Sequence, residues 1–297
     1  NHLKAITEAW AGAPPSPQDV AQYRGYGGST SPIESARRQR KSTASIILAD
    51  IADLQGDVDA YMARYSAEQL TYGTIAPDVA RRLIDAGRLE EALGIIQRAR
   101  AAEEGKSFRA SRYELDAVYE DCLQQMGRLD DLKTHLWATF QQTLYAGSLR
   151  KYLKLLPDFE DIEAEERALA LAETYPHLGA AIHFLTVWPD LPRAARVITA
   201  RAGELDGNAY ETLTAAADAL EPNHPLAATL LRRAMIKDTL EGAKSKRDRH
   251  AARHLEECRA CAALIQDFAG FQLHAEFLAG QKLRHGRKYG FWEIVEG

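Results

Sequence analysis

The chain reads as an all-α protein, a solenoid of antiparallel helix pairs. Three observations predict this. Ala86-Gly87-Arg88-Leu89-Glu90-Glu91-Ala92-Leu93 returns, altered, as Met126-Gly127-Arg128-Leu129-Asp130-Asp131-Leu132-Lys133, with its glycine 40 residues further on. Each glycine sits between two amphipathic runs, and a fixed return of that kind marks stacked helical hairpins. From residue 149 onward, proline-punctuated apolar runs continue at helical spacing with no strand signal between them.

The elements follow in order. Residues 1–10 form a short helix ending near Trp10. Residues 11–32 hold Pro14, Pro15, Pro17, Gly25, Gly27, Gly28 and Pro32, a loop composition expected to be the most mobile part. Arg37-Arg38-Gln39-Arg40-Lys41 stands at the foot of a helix that turns apolar at Ile46, Ile47, Leu48, Ile51 and Leu54 and stops at Gly56. Asp57 caps the next helix, through Val58, Tyr61, Met62 and Tyr65.

Pro77 opens a helix whose Val79, Ala80, Leu83 and Ile84 share one face. Gly87 ends it, and Leu89, Ala92, Leu93, Ile96 and Ala99 mark the returning helix. The second unit runs through Leu115, Val118, Tyr119, Cys122 and Leu123, turns at Gly127, and returns through Leu129, Leu132, Leu136 and Phe140. A left-handed glycine at each turn lets the two helices fold back antiparallel. Further helices are expected over 149–156, 161–175, 178–188, 191–203, 209–220, 225–241, 247–267 and 271–285. Tyr289 to Val295 is aromatic and β-branched, and reads as a packed extended tail or last turn pinned by Phe291 and Trp292. Trp137 and Trp188 read as packing residues.

Three segments result: 1–56, N-terminal helices with the Pro/Gly-rich loop; 57–148, the hairpins; 149–297, a helical array with a basic face and an aromatic cap. The chain lacks an initiator Met, so a truncated start is expected.

The 73–100 hairpin resembles a tetratricopeptide unit. Ala80, Gly87, Ala92 and Ala99 match that pattern's small and turn positions, while Glu104 stands where the pattern has Pro. The second unit keeps the turn but has Glu120, Leu132 and Thr139 at the small positions. The resemblance implies a tetratricopeptide-like superhelical solenoid.

A wider resemblance spans 57–295. Gly56-Asp57-Val58-Asp59-Ala60-Tyr61, Leu155-Leu156-Pro157-Asp158-Phe159, Glu163-Ala164-Glu165-Glu166-Arg167-Ala168, His224-Pro225-Leu226-Ala227-Ala228-Thr229-Leu230-Leu231-Arg232, Arg249-His250-Ala251-Ala252-Arg253-His254-Leu255 and His285-Gly286-Arg287-Lys288 are similar to a bacterial helical family of unknown function. Its C-terminal part is similar to regions of proteins that carry a SWIM-type zinc finger. The finger's own cysteine/histidine spacing is absent here. This resemblance implies a helical fold and brings no activity and no zinc.

Bulk composition narrows the classes. A chain of 297 residues, 46% apolar and 27% charged, can bury a sizeable core. The net charge of −5 gives no global attraction to nucleic acid or membranes. Three cysteines are too few for a disulfide framework, which points to a reducing cytoplasm. No apolar run approaches the ~18 residues of a membrane span.

The best candidate site lies in the C-terminal third. Lys244, Lys246, Arg247, Arg249, His250, Arg253 and His254 crowd together, and His285, Arg287 and Lys288 follow one helix later. From 232 onward 13 Lys/Arg face 9 Asp/Glu, so residues 232–297 are basic while the remainder is acidic. Arg249 and Arg253 are one helical turn apart and share a face, where a guanidinium pair can clamp a carboxylate or phosphate. The plainer reading is a solvated face, or ion pairs to Asp248, Glu256 and Glu257. The partner-binding set is therefore Arg249, His250, Arg253, His254, His285, Arg287 and Lys288.

Other chemistries find less support. His250, His254, Cys258 and Cys261 suggest zinc, yet on one helix His250 and Cys261 lie ~16 Å apart. Cys258 points with Ala251, Leu255, Ala262 and Ile265 and so belongs to the core, with His254 and Cys261 flanking that stripe. The acidic run Glu160, Asp161, Glu163, Glu165, Glu166 suits the positive end of a helix dipole. Gly25-Tyr26-Gly27-Gly28-Ser29 lacks the Gly-Lys-Ser/Thr ending of a phosphate loop. No metal, cofactor or catalytic residue is assigned. The expected function is a non-enzymatic scaffold for an acidic protein or peptide partner. The alternatives are nucleic-acid association through the same basic face and an uncharacterised metal-dependent enzyme.

Overall fold

Helices account for all the regular structure of the computed structural model, which describes residues 2–23, 31–103, 112–242 and 244–296. Among these residues there is no strand. The Gly25–Ser29 segment and Glu104 lie outside the described residues. The chain forms two compact units, Asn1–Leu132 and Lys133–Gly297. The boundaries expected near 56 and 148 therefore fall inside the units.

The first unit begins with α1 (His2–Gly12), α2 (Pro17–Ala21), α3 (Pro32–Gln55) and α4 (Val58–Met62). The stretch 11–32, expected as loop, contains α2. Ser16 and Asp19 form a capping box around it, and Ser31 and Glu34 repeat the device at α3. In both, a Ser oxygen accepts a backbone N–H while the acid accepts from the Ser N–H, satisfying donors a helix start leaves orphaned. Arg40, in the basic run, is no free cation. It pairs with Asp19 at 2.5 Å, donates to Pro14 O at 3.0 Å, and lies 5.0 Å over the Trp10 ring. Gly56 ends α3 in the left-handed region, and Asp57 caps α4.

Then come α5 (Ala76–Asp85), α6 (Leu89–Glu103), α7 (Arg112–Gln125) and α8 (Leu129–Thr143). Helices α5, α6 and α7 pack on one another. Ala80, Ala92 and Ala99 are fully buried there, among Val79, Leu83, Ile96, Leu115 and Leu123.

The repeated Gly-Arg-Leu-acid-acid segment is a turn made twice the same way. Gly87 has φ +73° and Gly127 φ +70°. The Arg88 N–H donates to Leu83 O at 2.8 Å, and the Arg128 N–H to Leu123 O at 2.9 Å. These are the six-to-one bonds of a Schellman ending. Each arginine then reaches the acid three residues on, Arg88 to Glu91 and Arg128 to Asp131, both at 2.7 Å or closer. The motif thus closes one helix and charges the start of the next.

The second unit continues with α9 (Ala146–Leu153), α10 (Glu160–Glu173), α11 (Leu178–Val187), α12 (Leu191–Ala200), α13 (Tyr210–Leu220), α14 (Pro225–Glu241), α15 (Asp248–Ala262), α16 (His274–His285) and α17 (Tyr289–Glu296). Helix α14 is the axis of this unit and packs on α12, α13, α15 and α16. One apolar cluster runs from Phe140 through Phe184, Leu185, Ile198 and Leu220 to Leu231. A second joins Ile236, Leu240, Leu255, Phe277, Phe291 and Trp292.

One sequence expectation is narrowed and another corrected. Of the two forms expected for the tail, extended segment or last turn, it takes the helical one, as α17, and Phe291 and Trp292 enter the second cluster. The Trp292 Nε1–H donates to His285 O at 2.9 Å, tying α17 to the end of α16. Helix α15 stops at Ala262 rather than 267. The chain beyond it turns through Ala269 (φ +50°) and Gly270 (φ +80°) before α16.

The acidic run after Pro157 has structural partners. Glu165 accepts from Trp188 Nε1 at 2.6 Å, and Glu166 accepts from Arg193 at 3.0 Å. Glu160, Asp161 and Glu163 occupy the first turn of α10.

Candidate functional site

The basic segment divides into bound and free cations. Lys244 Nζ lies 2.8 Å from Asp238 and 2.9 Å from Asn208 Oδ1. Arg247 is 3.3 Å from the same Asn208 oxygen and 5.6 Å over the Tyr210 ring. On α15, Arg249 is exposed and has no ion pair among the described residues. Arg253, one turn on, is also exposed and reaches Glu257 at 3.4 Å. His250 is exposed and meets Tyr210 in a T-shaped contact, ring centroids 5.8 Å apart.

His254 lies beneath this face. It is 1% exposed and both ring nitrogens are engaged. A carboxylate only accepts, so Nδ1–H donates to Glu257 Oε2 at 2.8 Å. Burial pushes the imidazole's pKa below its usual value, outweighing the opposing pull of Glu257. The neutral ring then accepts from the Tyr210 hydroxyl through Nε2, at 2.8 Å. His254 as placed holds Tyr210 and Glu257 and presents nothing to a partner.

His285, the last residue of α16, and Arg287 and Lys288, which follow it, stand at the turn between α16 and α17. Arg287 is exposed, while His285 and Lys288 are half-buried. Lys288 O accepts the N–H groups of Phe291 and Trp292, both at 3.1 Å, and so starts α17. Packing of Phe291 and Trp292 with Ala251, Ala252 and Leu255 brings α17 against α15. Among the described residues, no hydrogen bond or ion pair joins the three turn residues to Arg249, His250, Arg253 or His254.

Two consecutive arginines on α14 were not singled out from the sequence. Arg232 is 1% exposed. Its Nη2 donates to Asp218 at 3.1 Å and Glu221 at 2.5 Å. Its Nε stands 2.9 Å from Glu257 Oε2, an ion pair without hydrogen-bond alignment. Glu257 therefore links Arg232 to His254 and, through it, to Tyr210.

Arg233 is 5% exposed and has no carboxylate within ion-pair distance among the described residues. Its Nη1 donates to Gln272 O at 2.7 Å, whereas Nε and Nη2 are buried without a partner. Its guanidinium lies 4.7 Å over the Phe277 ring. Burial lowers its pKa from the usual arginine value. Arg233 lines a cavity of about 510 Å³, together with Leu230, Lys237, Phe271 and Phe277. The legible signal was an Arg-Arg pair inside the run Leu230 to Ile236, where helical spacing leaves no solvent side.

Cys258 and Cys261 are buried thiols beside these arginines. Burial pushes Cys258 up to about 12 and raises Cys261 as well. Neither has the low-pKa surroundings of a reactive cysteine. Among the described residues, no three His, Cys, Asp or Glu side chains converge to hold a metal ion. Nor is any described helix long and apolar enough to cross a membrane.

Fold and site together define a helical protein with a partly exposed basic face and a buried arginine pair. The chain belongs to the DUF6880 family of unknown function, which it matches over residues 1–294. No curated protein matches the chain, and no solved structure does.

Proposed function

We propose that the chain is a non-enzymatic binding module whose basic C-terminal face docks an acidic protein or peptide segment. The observation that carries this reading is the exposure of Arg249 and Arg253, one turn apart on α15, with Arg249 unpaired among the described residues. Two guanidinium groups so placed match the spacing of acidic side chains on a partner.

The module is a tetratricopeptide-like superhelical array. Supporting this are the fully buried Ala80, Ala92 and Ala99 and the left-handed Gly87, at the positions where that pattern places small and turn residues. Stacked hairpins of this kind present long surfaces suited to peptides and helices. A protein partner is favoured over nucleic acid because Lys244 and Arg247 already face Asp238. Too few free cations remain for a phosphate backbone.

Fluorescence anisotropy with a labelled Asp/Glu-rich peptide tests the proposal. Binding to the full chain should weaken with salt, and Arg249→Glu with Arg253→Glu should lower affinity at least tenfold. Unchanged binding by the double variant sinks the basic-face reading. Tighter binding of a short oligonucleotide than of the peptide replaces it with the nucleic-acid reading.

A further inference from the structure

The geometry points to the cavity beside Arg233 as a binding site for a small organic monocarboxylate with an apolar body. The argument starts from the contrast between neighbours. Arg232 and Arg233 are both buried on α14, yet Arg232 meets Asp218, Glu221 and Glu257 while Arg233 meets one backbone carbonyl. An arginine cannot shed its proton in a protein, so a buried one needs a counter-charge or suffers its full desolvation.

The two unpartnered atoms, Nε and Nη2, form one edge of the guanidinium. That edge carries two parallel N–H donors with the spacing of the two oxygens of a carboxylate. As the side chain stands both atoms are closed off from the cavity that Arg233 lines, so ligand binding requires the guanidinium to turn about its own torsions and present this edge to it.

The rest of the wall sets the body of the ligand. The volume of about 510 Å³ suits a small molecule. Leu230, Phe271 and Phe277 supply apolar surface, and Lys237 adds a second cation. Three acids also line the cavity. Asp238 is taken by Lys244 at 2.8 Å, while Asp206 and Glu241 are exposed at the rim. Those rim carboxylates repel a dianion such as phosphate more than a monoanion, and this selects the carboxylate.

Ligand-observed NMR titration of the full chain tests the inference, with 3-phenylpropionate as probe, 3-phenylpropionamide as its neutral counterpart and inorganic phosphate as competitor. The acid should bind at least tenfold more tightly than the amide, and phosphate should not displace it. Arg233→Met should lower affinity for the acid at least tenfold. Lys237→Glu, at an exposed position that leaves the fold alone, should lower it severalfold and decides the matter should Arg233→Met not fold. No binding of the acid, equal binding of acid and amide, displacement by phosphate, or wild-type affinity in Lys237→Glu overturns the proposal.

Discussion

Arg232→Met and Arg233→Met should shift stability in opposite directions. The substitution is the same, on adjacent residues of one helix, at 1% and 5% exposure. Arg232 would lose two aligned bonds to carboxylates and a third close ion pair. Hydrogen bonds to charged groups are worth about 1.5–3 kcal/mol each. The carboxylates of Asp218, Glu221 and Glu257 are 63%, 39% and 29% exposed and rehydrate when released, which reduces the loss. A net cost of about 3 kcal/mol results, or about 6–12 °C in Tm for a body of this size.

Arg233 would lose one bond to a carbonyl, worth about 1.5 kcal/mol at the low end for a charged donor. The change also removes a charge whose burial costs several kcal/mol and which no carboxylate offsets. Met keeps the apolar contact with Phe277. The net gain is about 1 kcal/mol, or about 2–4 °C in Tm. Urea titrations followed by circular dichroism, with calorimetry for Tm, measure both. Should Arg233→Met destabilise as much as Arg232→Met, the account of an uncompensated buried charge is wrong.

Three further outcomes are expected. His254 has a folded pKa below its usual 6.5. Between those two values the unfolded chain binds more protons, so stability falls as pH drops below about 6.5. The urea midpoint should be lower at pH 5.5 than at pH 7.5, and His254→Gln should narrow the gap; an equal gap removes the assignment. Gly87→Ala should destabilise by about 1 kcal/mol because φ is positive there, whereas Gly179→Ala, on an open helical face, should stabilise by about 0.5–1 kcal/mol. Matching signs in thermal melts would contradict the turn geometry. Phe291→Ala should cost about 3–5 kcal/mol, since this side chain is 1% exposed. A cost under 1 kcal/mol by urea titration would mean that α17 does not close the second cluster.

Much of the helical layout was legible because its signals are local. Pro77, Pro192 and Pro225 mark first turns, Gly56, Gly87 and Gly127 mark ends, and apolar spacing fills the rest. The capping boxes at Ser16 and Ser31 were equally local and were masked by the surrounding prolines and glycines. Helix α17 was legible only as one of two forms, because aromatic and β-branched residues suit strands until a core claims them at helical spacing.

The site was only half legible for a different reason. Charge clustering picked out the residues of α15 without dividing exposed Arg249 from buried His254, although the helical stripe through Cys258 already set His254 at the edge of the core. That division depends on Tyr210 and Glu257, and Tyr210 comes from another helix. The arginine pair of α14 was missed because its meaning lies in partners contributed by α13, α15 and the chain before α16.

Helix α14 is buried without a break from Ala227 to Arg233 and again at Met235 and Ile236, and meets solvent only towards its end, at Lys237 and Glu241. The backbone amides of the buried stretch, Ala227 to Ile236, have no route to water short of dismantling the helices around it. Their hydrogen exchange therefore reads the global unfolding of the second unit. The neighbouring α16 keeps only Phe277 and Gln281 buried and leaves Leu283 88% exposed, so its amides exchange through local opening. Within one unit, the slowest and some of the faster clocks of the molecule lie in direct contact.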